Sequence, residues 1–208
     1  MNIICIKPKG VILMNKLKFK PSTLLSPVPV VMVSLGDRSI SNIITVAWVG
    51  TVNSEPPMVS ISVRRQRYSY DIIDKYKSFG VNLVSTDIVK EADWCGVKSG
   101  KEVDKFKECN FTKFYGDITG VPMIKESPVN IECEVKKVVP LGSHDMFIGE
   151  VVGVYTDESL SDEKGRLDFA KANLVSYAHG EYFALDEKLG FFGYSVASEE
   201  VLKRRMSK

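Results

Sequence analysis

The sequence predicts a mainly β domain with a few short helices, on three observations. From Pro56 to Val63, Val59, Ile61 and Val63 alternate with Ser60, Ser62 and Arg64, the period-2 pattern of a strand with one apolar and one polar face. Two longer alternating segments, Val129–Val139 and Met146–Tyr155, flank the turn Pro140-Leu141-Gly142-Ser143 and read as a hairpin. Helical spacing is confined to short stretches: Asp71–Tyr76, Asp87–Val97 and the closing SEEVLKRRMSK, whose basic residues gather toward its C-terminus.

In chain order, residues 21–35 form a Pro-rich loop leading into a buried β-branched strand that ends at the Gly36-Asp37 turn. Ser41–Val49 reads as one strand, in which Ile44, Val46 and Trp48 oppose Thr45, Ala47 and Val49; the small residues leave room for a flat ring, although ordinary strand packing explains them equally. Ser78–Ser85 follows as another strand, and Asn82 at its centre needs hydrogen-bond partners if it is buried. Ser99 and Glu102 have capping-box spacing. The aromatic and glycine cluster at 190–194 reads as core or dimer contact.

Length and charge set outer bounds. At 208 residues and 44% hydrophobic the chain can bury one full core: residues 21–197 read as the domain, 1–20 as an extension and 198–208 as a helical tail. Met14 offers a second plausible start, and the apolar runs of Met1–Leu13 are too short and too interrupted by Lys7, Pro8 and Lys9 for a signal segment. No later run reaches the length of a membrane span, so a soluble protein without a membrane partner is expected, and the widely spaced cysteines make a reduced, cytoplasmic setting the default. The near balance of 28 basic against 26 acidic side chains argues against a nucleic-acid partner. Cys5, Cys95, Cys109 and Cys133 include no C-x-x-C, so neither a metal site nor a dithiol motif is visible, and Cys95 reads as an unreactive thiol.

One stretch has the makings of an anion site. After the polar strand face of Ser60, Ser62 and Arg64, Arg65 and Arg67 lead into Ser69, which reads as the N-cap of a helix. A helix N-terminus beside arginines favours negative charge through its free N–H groups and its dipole. A solvated surface is the other reading of the same residues, and local physics alone leaves the ligand open. His144, at the hairpin end, is a titratable and hydrogen-bonding group that suits either a turn or a ligand.

Seven stretches in order sharpen this. N-x-x-T-x-A-W (Asn42, Thr45, Ala47, Trp48), P-P-x-V-x-I-S-V (Pro56 to Val63), R-x-S-x-x-x-I (Arg67, Ser69, Ile73), F-x-V-N (Phe79 to Asn82), S-G-K-x-x-D-K-F (Ser99 to Phe106), G-S-H-D-x-F-I-G-E-V (Gly142 to Val151) and the run from Tyr182 to Ser195 together resemble the flavin reductase-like family, in particular its flavoredoxin branch. The resemblance implies an FMN-binding split β-barrel of Greek-key type, homodimeric, with flavin near the subunit interface and FAD less favoured. It places Asn42, Thr45, Val46, Ala47, Trp48, Ser62, Arg64, Arg67, Ser69, Tyr70, Asn82, Ser99, Lys105 and Phe106 about the flavin. Backbone amides and the Thr45 hydroxyl would face the ring edge, and Lys105 would approach the phosphate as a point charge on a mobile stem. His144 would orient a nicotinamide or substrate. Two functions follow: an NAD(P)H-dependent flavin or ferric reductase, or a non-catalytic carrier relaying electrons between a redox protein donor and its acceptor. No G-x-G-x-x-G marks a separate dinucleotide fold.

Overall fold

The structure, a computed structural model, describes residues 16–162 and 165–206. The expected extension lies largely outside these, and residues 16–20 are exposed without regular structure. The chain forms β1 (Val28–Pro29), β2 (Val31–Gly36), β3 (Ser41–Val46), β4 (Val49–Ser54), β5 (Pro57–Val63), α1 (Tyr68–Tyr76), β6 (Ser78–Leu83), α2 (Val89–Val97) and α3 (Lys105–Glu108). It continues through β7 (Lys113–Tyr115), β8 (Pro122–Ile124), β9 (Val129–Pro140), β10 (Asp145–Thr156), β11 (Val175–Ala178), β12 (Glu181–Ala184) and α4 (Glu199–Met206). Among the described residues no helix is long and apolar enough to cross a membrane.

Seven strands make one sheet in the order β3-β2-β6-β9-β10-β5-β4. Its two edge strands, β3 and β4, are consecutive in the chain and joined only by Ala47 and Trp48. Two residues cannot span a flat seven-stranded sheet, whose strands lie about 4.8 Å apart, so the sheet curls until its edges meet. A single apolar cluster accordingly joins residues from both ends: Val33 and Leu35 of β2, Ile44 and Val46 of β3, Ile61 and Val63 of β5, and Phe147 of β10, with Ile72 and Ile73 of α1 packed among them. The curvature has a local source in β10, where the pairing with β9 slips at Ile148/Gly149 and again at Val151/Gly153. Such bulges bend and twist a ladder. At Gly149 a Cβ would lie 2.7 Å from the Phe79 ring, so only glycine lets β10 lie so close over β6.

The expected strands are largely present, and the hairpin is formed by β9 and β10 in register from Asp145↔Pro140 to Thr156↔Val129. The sequence reading of Ser41–Val49 as one strand is corrected: it breaks at Ala47-Trp48, where the chain passes from one sheet edge to the other. β2 is buried along its whole length because both its faces are covered. Its odd-numbered residues face the barrel, whereas Met32 joins a second cluster with Ile43, Ala92, Cys95 and Phe106 that packs α2 and α3 on the outside. The aromatic cluster does not fill the core: Phe192 is fully exposed and Leu189 and Val196 nearly so.

Buried polar groups fasten the sheet to its outer loops. Asn82 donates to Met32 O (2.8 Å) and Ser34 Oγ (2.9 Å), and its Oδ1 accepts from Ile124 N (3.0 Å) and Asn130 Nδ2 (2.8 Å). These bonds tie β2, β6, β8 and β9 together, so Asn82 is a structural amide rather than a flavin contact. Phe106 likewise lies in the outer core, with the Lys113 ammonium 4.7 Å from its ring centroid. Glu132 is fully buried and accepts from the N–H and Oγ1 of Thr119, Ile118 N and Tyr155 Oη. Burial alone would push its carboxyl up, but these donors, Thr119 foremost, outweigh burial and hold it below the usual glutamate range.

Because the folded-state value of Glu132 is depressed, the stability it contributes is fully present above the unfolded value near 4.5 and is lost as pH falls through the folded one. Glu132→Gln should therefore flatten the loss of stability below about pH 4.5 seen in urea titrations of the wild type. Glu132→Ala, which strands several buried donors, should cost about 2–4 kcal/mol at neutral pH. A wild-type acid limb that Glu132→Gln leaves unchanged would show that another carboxylate sets it.

Candidate functional site

The closure of the barrel leaves a cleft over its seam. β3 ends at Val46, Ala47 and Trp48 cross the gap, and Trp48 O accepts from Ser62 N (3.0 Å), so this link is held by one bond outside the ladders. A chamber of about 460 Å³ opens here, lined by Thr45–Trp48 from the seam, Ser62 and Arg64 at the end of β5, Gly96 and Val97 from α2, and His144. Tyr177 and Tyr182, from the small sheet β1-β11-β12, close its far side. A narrower chamber of about 130 Å³ adjoins it, sharing Ile44, Arg67 and Gly96 and reaching Ser69, Lys98, Ser99, Gly100 and Lys105. The narrow chamber ends on the first turn of α1.

That turn differs from the sequence reading. Helix α1 begins at Tyr68, and its N-cap is Arg67, in extended conformation and without a side-chain cap. Ser69 is therefore inside the helix and not its cap. It is buried, and its Oγ accepts from Asn42 Nδ2 (2.9 Å), which leaves its own proton to donate. Asn42 thus stands behind Ser69, orienting it, and does not line either chamber. Gly100 passes directly over the Asn42 amide, where a Cβ would collide with it. The uncapped N–H groups of α1 and the exposed Arg67 make the end of the narrow chamber electropositive.

Four further assignments change. Lys105 lines the narrow chamber, but it is buried and its Nζ donates to Ile43 O (2.7 Å) and Cys95 O (2.6 Å). It braces β3 against α2 and is not a mobile stem; burial lowers its pKa. The Thr45 hydroxyl donates to Ala92 O, so its proton is committed to α2 and not to a ring edge. Tyr70 lies outside both chambers, its ring against Phe147 and its hydroxyl on Asp145 Oδ2 (2.6 Å). The capping-box reading of Ser99 is replaced by a turn in which Glu102 N donates to Ser99 O (3.1 Å).

Asp145 is a residue that sequence reasoning missed. It is buried at the start of β10, and Oδ2 also accepts from Arg65 Nε and Nη2 (both 2.9 Å), while Oδ1 is buried without a partner among the described residues. Tyr70 and Arg65 hold its carboxyl below the usual aspartate range. The interaction ties the corner carrying His144 to the turn carrying Arg64 and Arg67. His144 itself packs on Trp48, ring centroids 4.6 Å apart, with Nδ1 2.9 Å from Ser143 Oγ. Burial and then the Arg64 charge lower its pKa, so the imidazole is neutral at pH 7. Tyr182, whose hydroxyl donates to Asp93 Oδ1 (2.9 Å), and Gly96 were also missed; Asp145 and Tyr182 lie in the family-like stretches, Gly96 does not.

An electropositive pocket at a helix start, continuous with a broader chamber between backbone and aromatic walls, suits a flat ring carrying a phosphate tail. The flavin reductase like domain matches residues 23–186. The flavoredoxin of Desulfovibrio vulgaris (Miyazaki F) superposes with a TM-score of 0.81 at 32% identity, covering 88% of this chain and 99% of its own. An FMN-binding protein from Thermus thermophilus, solved with bound 1-cyclohex-2-enone, gives a TM-score of 0.71 at 26% identity, over 86% of this chain and 98% of its own. An uncharacterized protein of Pyrococcus abyssi is 29% identical over 80% of this chain and 95% of its own length.

The chain contains two histidines, so its imidazole titrations are separable by proton NMR. The resonance lost in His144→Gln should titrate below the ordinary value of 6.5, and Arg64→Ala should move it upward. A His144 midpoint at or above 6.5 would contradict the burial and charge described for it. Since the family's domain matches residues 23–186, most of the chain, the chain belongs to the flavin reductase-like domain family.

Proposed function

We propose that the protein is an FMN-dependent oxidoreductase that takes electrons from NAD(P)H and passes them to free flavin, ferric iron or a redox partner. The observation that carries this is the pair of connected chambers at the barrel seam, the narrow one closed by the start of α1. Arg67, Ser69 and the first N–H groups of α1 would hold the phosphate, and the backbone of Thr45–Trp48 with Ser62 would hold the ring. Bound flavin supplies two-electron acceptance from a nicotinamide and onward release to the acceptor.

The protein's own contribution is binding, orientation and exclusion of water. Asp145 positions Arg65 and, through the turn, Arg67. Lys105 and the Thr45 hydroxyl fix α2 against β3 and so set the width of the cleft. A neutral His144 beside Trp48 offers a hydrogen-bonding edge to a nicotinamide or substrate entering the larger chamber. We also propose a homodimer, because Leu189, Phe192 and Val196 expose apolar surface that a second copy would cover. The flavoredoxin likeness favours a second reading, a carrier without NAD(P)H activity.

Anaerobic titration of the FMN-loaded protein with NADH and NADPH decides between them: bleaching of the flavin absorbance is expected, whereas bleaching only by a reduced ferredoxin-type protein would establish the carrier. Arg67→Ala or Ser69→Ala should weaken FMN by about 10–150-fold, the worth of one charge-assisted hydrogen bond; unchanged affinity in both would remove the phosphate from this chamber. His144→Ala should retain FMN and slow its reduction by about 10–100-fold. Loss of FMN without a specific rate effect would make His144 a hairpin residue.

A further inference from the structure

Two thiols that none of the steps above employs lie within reach of each other. Cys95, in the last turn of α2, is fully buried, and its Sγ is 3.7 Å from Sγ of Cys109, the residue that ends α3. They are fourteen positions apart, and the chain between them forms the outer wall of the narrow chamber through Lys98, Ser99 and Gly100. Cys109 is partly exposed and opens into a separate cleft of about 520 Å³ beside Lys90, Trp94 and Val97. Cys95 is among the residues lining the narrow chamber, and its backbone carbonyl accepts from Lys105 Nζ (2.6 Å). Cys133, the other free thiol among the described residues, belongs to the barrel interior cluster.

A disulfide requires the two sulfurs at about 2.05 Å, so closure needs a movement of under about 2 Å, within the range of side-chain rotation and a small shift of the α3 end. The pair is also asymmetric in the way exchange requires: one sulfur reachable from solvent, the other shielded behind it. Burial raises both thiols above their ordinary range, which keeps them protonated and makes the exchange slow without preventing it.

We propose that Cys95 and Cys109 form a reversible disulfide that fixes the segment 98–104, whose Lys98, Ser99 and Gly100 line the narrow chamber. The oxidant is a small-molecule disulfide. The Cys109 thiolate attacks one of its sulfurs, forming a mixed disulfide and releasing one thiol. The Cys95 thiolate then attacks the Cys109 sulfur, forming the internal bond and releasing the second thiol. The protein gives up two electrons and two protons, and the small disulfide becomes two thiols. A dithiol reverses the sequence. The cross-link closes the chain from Cys95 to Cys109, about 15 residues, into a loop, which restricts the opening of the segment between α2 and α3 and stabilises the fold. It rests on this chain alone and stands or falls separately from the flavin reading.

The test uses the full chain incubated with glutathione disulfide, followed by intact mass, peptide mapping and hydrogen exchange. The expected result is loss of two hydrogens with no retained glutathione and a cross-linked peptide pair containing Cys95 and Cys109. Amide exchange in residues 98–104 should slow by about tenfold or more, the thermal midpoint should rise by about 5 °C or more, and dithiothreitol should reverse both. Cys109→Ser, or Cys109→Ala, should show neither cross-link nor slowing. Glutathione retained on Cys109, unreacted thiols, a link through Cys5 or Cys133, or a Cys95–Cys109 link that leaves exchange of 98–104 unchanged would each overturn the proposal, and the wild-type comparison alone suffices should the variants fail to fold.

Discussion

The candidate flavin site depends on the link between β3 and β4. Because the two edge strands of a seven-stranded sheet are joined by Ala47 and Trp48 alone, the sheet has to close, and the place of closure cannot be a regular ladder. Edges that neither pair nor lie in solvent need cover. Here α1 plugs the interior with Ile72 and Ile73, while α2 and α3 cover the outer face of β2 and β3. The gap that remains over the seam is the cleft. Its walls are therefore fixed by the same packing that satisfies the barrel.

The polar interior follows the same logic. Asn82, Glu132, Lys105 and Asp145 are all buried, and each binds a segment that apolar packing alone would leave loose. Asn82 reaches across β2, β8 and β9; Glu132 gathers the turn at 118–119; Lys105 bridges β3 and α2. A buried polar group costs free energy unless its bonds are made, so such residues act as locks that hold only in one arrangement. Asp145 differs in keeping one oxygen without a partner, which concentrates its role on Arg65 and Tyr70 and hence on the turn that carries Arg67.

What could be read from the sequence was what has a local period or a local signal. β5 was legible because Ser60 and Ser62 interrupt its apolar residues, and the β9–β10 hairpin because its strands are long and its turn is marked by Pro140 and Gly142. The break after Val46 was not, since Val46 to Val49 continues an apolar run and only the sheet topology cuts it. Nor does a sequence show that Lys105 is buried between two carbonyls, or that the helix start at Arg67 is set by backbone conformation and not by a capping side chain. Asn82 was recognisable as a problem, a mid-strand amide, but its partners on other strands are 42 to 50 residues away. Tyr177 and Tyr182 come from the small distant sheet and Cys109 meets Cys95 only through the packing of α3 on α2, relations that no spacing encodes.

The most direct test of the account is a crystal structure of the protein grown with FMN. The phosphate is expected within hydrogen-bond distance of Ser69 and the first N–H groups of α1, beside Arg67, and the ring against Thr45–Trp48 in the larger chamber. A flavin bound elsewhere, or one whose phosphate points into solvent away from α1 while the ring lies across the seam, would contradict it.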